Sequence, residues 1–152
     1  MSGALDIRAV APADFSQWAK LWDGYNAHYE RTLDEEITRT TWARFLDVSE
    51  PVHGLVAEKD GELVGFTHYL FHRSTSMISP TCYLQDLFTA KTARGKGVGR
   101  ALIEAVYERA AAEGSLRVYW QTHETNATAM KLYEKVAKRS GFLVYSKDLP
   151  SR

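Results

Sequence analysis

Between a run of strand-like residues and a run of helical periodicity, the chain places Arg94, Gly95, Lys96, Gly97, Val98, Gly99 and Arg100 in succession. Glycines let a backbone turn tightly and leave consecutive amide N–H groups uncovered. At a helix start those groups point outward with the positive end of the helix dipole behind them. Arginine and lysine alongside add charge-assisted hydrogen bonds, although Lys96 reads equally well as a solvated surface lysine. The segment is therefore read as a phosphate cradle. A turn that merely needs glycine has little use for three glycines and three cations together. Spacing narrows the ligand further. A P-loop requires a Gly-Lys-Ser/Thr end that is absent here, and a dinucleotide fingerprint requires glycine where Arg100 stands, normally in the first strand–helix unit of a parallel domain.

The rest of the chain reads as a mixed sheet with helices packed on it. Residues 5–10 alternate apolar and polar and predict a first strand. Phe15, Trp18, Leu21, Trp22, Tyr25 and Tyr29 recur at three- and four-residue spacing and predict a helix with an aromatic face. A shorter helix is expected from near Asp34, turning Ile37, Phe45 and Leu46 inward before Pro51. Residues 53–58 and 62–72 read as strands, and Asp60-Gly61 between them predicts a hairpin. Residues 82–88 form the strand that leads to the cradle. After it, Val98, Leu102, Ile103, Val106 and Ala110 mark a helix that Gly114 ends. Residues 116–122 predict a strand, and Asn126 is expected to N-cap a helix through Met130, Tyr133 and Val136. Gly141 then introduces a last strand over 142–145. The predicted order is β-α-α-β-β-β-α-β-α-β, in a single domain over residues 1–152.

Composition excludes several classes of partner. A chain of 152 residues, 45% hydrophobic, buries one genuine core. Lysine plus arginine equals aspartate plus glutamate at 19 each, so no overall field draws the chain to nucleic acid or an acidic membrane. No apolar run approaches the ~20 residues that cross a bilayer. The lone cysteine, Cys82, has no internal disulfide partner and reads as a small buried apolar residue rather than a nucleophile. The first ten residues lack the apolar core of a signal peptide, so a cytoplasmic setting is expected. His68 and His72 share a strand face, but no third ligand is indicated and no metal site is expected.

Arg94, two residues, Gly97, one residue and Gly99 resemble the coenzyme A pyrophosphate motif of the GNAT superfamily of N-acetyltransferases. Asn126, Ala129, Leu132 and Tyr133 resemble a later motif of the same family. With the element order, the resemblance runs from Ile7 to Tyr145. Residues 83–88, Val118, Tyr119 and Trp120, and the long run from Lys135 to Ser140, are similar to one branch of it. That branch holds yeast histone and polyamine acetyltransferases and D-amino-acid N-acetyltransferases. Gln85 stands where spermidine/spermine acetyltransferase has glutamate, a departure that argues against a strong polyamine preference. The resemblance implies a mixed α/β fold, a mostly antiparallel central sheet flanked by helices, with acetyl-CoA as acetyl donor and a homodimer as the assembly. It places coenzyme A against Arg94, Gly95, Lys96, Gly97, Val98, Gly99 and Arg100, along the main chain of Leu87, Phe88 and Thr89, and against Asn126, Ala129 and Tyr133.

Acetyl transfer sets chemical requirements that point to further residues. An alkyl amine, with a pKa of ~10, arrives protonated at neutral pH and must lose a proton before it attacks. Asp86 lies on the strand leading to the cradle and is the leading base. It reads equally well as an electrostatic anchor for the ammonium or as a cap for a backbone amide, and Glu124 is a weaker base. Tyr133 is the general acid for the departing thiolate, since a phenol stays protonated at neutral pH; outside its motif it would read as a core tyrosine. Trp22, Tyr25, His28, Tyr29, Phe66, His68, Gln85 and Trp120 are the expected lining of the acceptor pocket, whose aromatic walls suit a cation or an aromatic substrate. Most of these aromatics, taken singly, also fit a core. The leading reading is direct acetylation of a primary amine on a small molecule, amino acid or peptide. The alternative is a non-catalytic acyl-CoA-binding sensor or docking module.

Overall fold

The computed structural model describes residues 3–151. The chain divides into two compact units, one up to Gln121 and one from Thr122 onward. In the first, β1 (Asp6–Ala9), β2 (Val52–Lys59), β3 (Glu62–His72), β4 (Thr81–Thr89) and β5 (Val118–Tyr119) form one sheet in that order. The pairings from β1 to β4 are antiparallel, and β4 pairs with β5 in parallel. The β2–β3 hairpin closes as its dipeptide predicts: Lys59 lies opposite Glu62, with Asp60 and Gly61 between them at φ of 52° and 80°.

The two sides of the sheet are covered by different helices. Strand alternation turns Val56 and its partner Phe66 toward α1 (Phe15–His28) and α2 (Glu35–Phe45), where they form a core with Trp18, Trp22, Tyr25, Trp42 and Leu63. Gly65 turns the other way, toward α3 (Val98–Ala112). A Cβ at Gly65 would lie 2.8 Å from the Phe88 carbonyl oxygen and 3.0 Å from the Val98 side chain, so the missing side chain lets the first turn of α3 sit against the sheet. Val98, Leu102, Ile103, Val106 and Ala110 are all buried, as their periodicity predicts.

Four expectations are corrected in this unit and the second. In α2 the inward anchor is Trp42, whereas Ile37 and Leu46 are 46% and 41% exposed. The Trp42 ring lies 4.8 Å from Trp18 and 5.6 Å from Phe15, and this large indole sets which face of α2 meets the core. The strand expected over 116–122 is only Val118–Tyr119, because β4 offers it pairing at Cys82 and Tyr83 alone. In the second unit, α4 (Ala127–Val136) is followed by residues 137–151 without regular structure. The strand expected over 142–145 is not formed, and Phe142, Leu143, Val144 and Tyr145 are exposed. Apolar, β-prone composition does not make a strand without a neighbouring backbone to bond, and no described strand pairs with this run. Asn126 does precede α4, but its side chain makes no cap bond; its Nδ2 donates to Thr122 Oγ1 at 3.4 Å.

The entry into α1 is fixed electrostatically. Arg8 on β1 donates to both carboxylate oxygens of Asp14, at 2.7 and 2.9 Å, and the Ala11 amide donates to the same group at 2.7 Å. The Arg8 guanidinium holds the Asp14 carboxyl below its ordinary value of 3.8, against the opposing effect of burial. Asp14→Asn is expected to cost about 1.5–3 kcal/mol at pH 7, measured by urea unfolding. A depressed folded-state pKa stabilises above the ordinary value and is lost as pH falls through the lowered one. The gap between wild type and variant should therefore narrow below about pH 4.

Candidate active site

β4 delivers the chain to the cradle and carries the principal carboxylate on the way. Its ladder with β3 pairs His68 with Asp86 and then Tyr69 with Leu84, so Gln85 is a bulge. Gln85 is exposed, while the flanking Leu84 and Asp86 are buried. On the other edge, β4 pairs with β5 only at Cys82 and Tyr83. From Leu84 to Thr89 that edge has no strand beside it among the described residues, leaving main-chain groups of Leu87, Phe88 and Thr89 at an open margin.

After β4 a single 3₁₀ turn, Lys91–Ala93, leads into the glycine segment. Gly95 and Gly97 sit at φ of 77° and 82°, a left-handed conformation that side chains resist, and a Cβ at either would meet no atom within 4 Å. The loop thus presents bare backbone to open space. The Ala101 amide bonds to the Gly97 carbonyl at 3.0 Å, so the N–H groups of Val98, Gly99 and Arg100 have no partner within α3. No side chain among the described residues caps this end. Arg94 anchors the loop to β4: its Nε donates to the Thr89 carbonyl at 3.2 Å and its guanidinium lies over the Phe88 ring at 5.8 Å. Arg100 pairs with Glu104 at 2.6 Å, and Lys96 is exposed. These features suit a diphosphate held by main-chain donors at a helix N-terminus.

Asp86 lies inside an aromatic cluster with both carboxylate oxygens engaged. The Tyr25 hydroxyl donates to Oδ1 at 2.9 Å, and His68 Nδ1 lies 2.9 Å from Oδ2. The other imidazole nitrogen, Nε2, accepts from the Trp18 indole N–H at 3.0 Å. The Thr67 hydroxyl donates to the Asp86 carbonyl at 2.7 Å. Burial, reinforced by the Asp86 charge, pushes the Tyr25 phenol well above its ordinary range. Burial also lowers the His68 pKa, outweighing the opposing pull of Asp86.

Of the residues expected to line the acceptor pocket, the fold brings Trp22, Tyr25, Phe66 and His68 together around Asp86. Tyr29 packs on the Tyr25 ring at 5.0 Å and His28 on Tyr29 at 5.2 Å, both at the exposed end of α1. Trp120 stands apart from this stack, its ring 6.4 Å from Tyr107 of α3. Trp22 Nε1 is buried without an acceptor among the described residues. Trp18 and Thr67 were missed as site residues. For Trp18 the helix face was legible, since it lies four residues before Trp22 and seven before Tyr25, but the bond of its N–H to His68 was not.

His72 is exposed and bonds the Tyr119 hydroxyl at 2.6 Å, while His68 is committed to Trp18 and Asp86, so the two histidines do not converge. Burial pushes the Cys82 thiol up to about 11, which keeps it protonated at neutral pH and unsuited to nucleophilic attack. In the second unit, Ala129 and Tyr133 are four residues apart on one face of α4, and Glu124 is exposed.

Residues 16–137 match the family described as Acetyltransferase (GNAT) family. The D-amino-acid N-acetyltransferase HPA3 of Saccharomyces cerevisiae is 38% identical over 144 residues, covering 93% of this chain and 89% of the yeast protein. Among solved structures, the ribosomal-protein-alanine N-acetyltransferase of Brucella melitensis superposes with a TM-score of 0.81 at 22% identity, covering 97% of this chain and 100% of that one. AAC(6')-Iy in complex with a CoA bisubstrate analogue superposes with a TM-score of 0.82 at 17% identity, with the same coverage. The matched family is one of enzymes, which favours catalysis over a non-catalytic acyl-CoA module. Since the match runs through most of the sheet, α3 and all of α4, the chain belongs to the GNAT family and is an N-acetyltransferase that takes its acetyl group from acetyl-CoA and gives it to an amine.

Proposed function

We propose that this enzyme acetylates the amino group of a small substrate, with an amino acid as the preferred class, by direct transfer within a ternary complex. The observation that carries the cofactor assignment is the bare loop of Gly95 and Gly97 opening onto the uncapped start of α3. Main-chain N–H groups of Val98, Gly99 and Arg100, with Arg94 and Lys96, would hold the diphosphate, and the open margin of β4 at Leu87, Phe88 and Thr89 would hold the pantetheine arm. Bound acetyl-CoA supplies an activated thioester carbonyl. Asn126 and Ala129 are assigned to cofactor binding by their place in the second motif. That motif also supports Tyr133 as the acid whose hydroxyl proton goes to the departing sulfur.

Asp86 is the base in this reading. Its carboxylate carries the Tyr25 hydroxyl, so the substrate ammonium gives a proton to the Tyr25 oxygen as Tyr25 passes its own to Asp86 Oδ1. The amine is left with a free electron pair and Asp86 becomes the neutral acid. An amino-acid substrate is supported by the charge around the same ring. The Arg31 guanidinium lies 5.7 Å from the Tyr25 centroid and 5.5 Å from that of Tyr29, placing a cation beside the tyrosine that bears Asp86. A zwitterion complements that pair, and the 38% identical yeast relative is named for D-amino acids.

The family match crosses the boundary between the two compact units, which supports a single domain over residues 1–152. A cytoplasmic homodimer is the proposed assembly. Exposed Phe142, Leu143, Val144, Tyr145 and Leu149 offer apolar surface for a second copy to bury. The balance of 19 cationic and 19 anionic residues supports the absence of nucleic-acid and membrane partners.

Gly97→Glu places a side chain at positive φ and a negative charge in the cradle. It should weaken coenzyme A binding about a hundredfold by calorimetry while the far-UV spectrum stays native; unchanged affinity would remove the cradle from the account. Asp86→Asn and Tyr133→Phe should each lower kcat by roughly 10²–10⁴, with coenzyme A affinity within a few-fold of wild type. Mass spectrometry of a panel of D- and L-amino acids, polyamines and peptides should show acetylated amino acids as the main products. Arg31→Ala should raise KM for those more than for amines without a carboxylate.

A further inference from the structure

The environment of His68 fixes something that the family match does not address. An indole N–H only donates, so the 3.0 Å contact from Trp18 Nε1 requires His68 Nε2 to be a bare acceptor. The proton of the neutral ring then sits on Nδ1, aimed at Asp86 Oδ2 at 2.9 Å. The second tautomer would set two N–H groups against each other at Trp18 and leave a bare nitrogen facing a carboxylate. Among the described residues nothing else near the ring offers relief. Its neighbours are the rings of Phe66, Phe45, Trp18 and Trp22, on β3, α2 and α1, and the titratable group facing it is Asp86.

We infer that Trp18 and His68 are positioning residues for the reaction: Trp18 locks His68 as the Nδ1–H tautomer, and that N–H clamps Asp86 with Oδ1 turned to Tyr25. The inference rests on Asp86 receiving the substrate proton, as argued above. It adds a direction to that step. A proton arriving on Asp86 has no exit through His68, because Nε2 is closed by a group that cannot accept, so it enters and leaves on the Tyr25 side.

Nitrogen-15 NMR of histidine-labelled enzyme without substrate reads the tautomer directly. The expected result is Nδ1 protonated and Nε2 bare, unchanged from pH 5 to 8; a protonated Nε2 in the wild type overturns the inference. In Trp18→Phe, which keeps an aromatic ring and removes the donor, a mixture of tautomers or a titrating ring is expected. His68→Phe should lower kcat about a hundredfold. His68→Asn, whose amide can reproduce the Nδ1–H donor, should recover part of that loss. KM for acetyl-CoA should stay unchanged in all three variants. Wild-type kcat and pH profile in Trp18→Phe and His68→Phe, while Asp86→Asn is inactive, overturn the lock alone. Full activity in Asp86→Asn overturns the base assignment and the lock with it.

Discussion

Between the pairs His68–Asp86 and Tyr69–Leu84, β4 carries one residue, Gln85, that has no partner on β3. A strand alternates its side chains, so the extra residue resets which face each position addresses. On the cradle side of the bulge, Asp86 and Phe88 share a face with His68 and Phe66. On the other side, Leu84 and Cys82 fall in with Tyr69 and Phe71, toward α3. Without the bulge, pairing continued from the Cys82 end would turn Asp86 away from the aromatic face, and its hydroxyl and imidazole donors would have no acceptor. The same stretch of β4 is where pairing with β5 ceases, so one irregularity coincides with both the buried carboxylate and the open main-chain margin.

A carboxylate within such surroundings is tolerable because nearly every polar group around it is matched. Tyr25, His68, Trp18 and Thr67 each bond within the cluster, and the rings about them shut out water. In a medium of low polarizability such bonds strengthen one another, and removing one member leaves others unsatisfied. The result is a carboxylate fixed in place by its solvation shell of side chains, which suits a reaction that must bring an amine and a thioester together in one orientation. Trp22 Nε1 is the unmatched exception among the described residues.

The parts of the molecule legible from its residues are those set by near neighbours in the chain. The bare loop of Gly95 and Gly97, the buried stripe from Val98 to Ala110 and the Asp60-Gly61 turn all depend on contacts or dihedrals spanning a few positions. Asp86 stood out because it is the acidic residue on the strand feeding the cradle. Trp18 did not, since a tryptophan on an apolar helix face is ordinary core until its N–H is seen to meet a histidine 50 residues away. The misjudged pieces fail for a related reason: Ile37 and Leu46 yield the inner face of α2 to Trp42, and residues 142–145 have strand composition with no strand beside them.

The order of the elements from the first strand to α4, the bare glycine loop and the acetyltransferase family were determined by the sequence itself, because glycine dihedrals, hydrophobic period and motif spacing are local properties of a chain. The tertiary structure alone decided that His68 is a buried hydrogen-bonded bridge between Trp18 and Asp86, that Tyr25 bears on the carboxylate, and that Trp120 faces α3. Those outcomes depend on strand register and helix packing, where a shift of one residue reverses which side chains meet, and no local pattern encodes that choice.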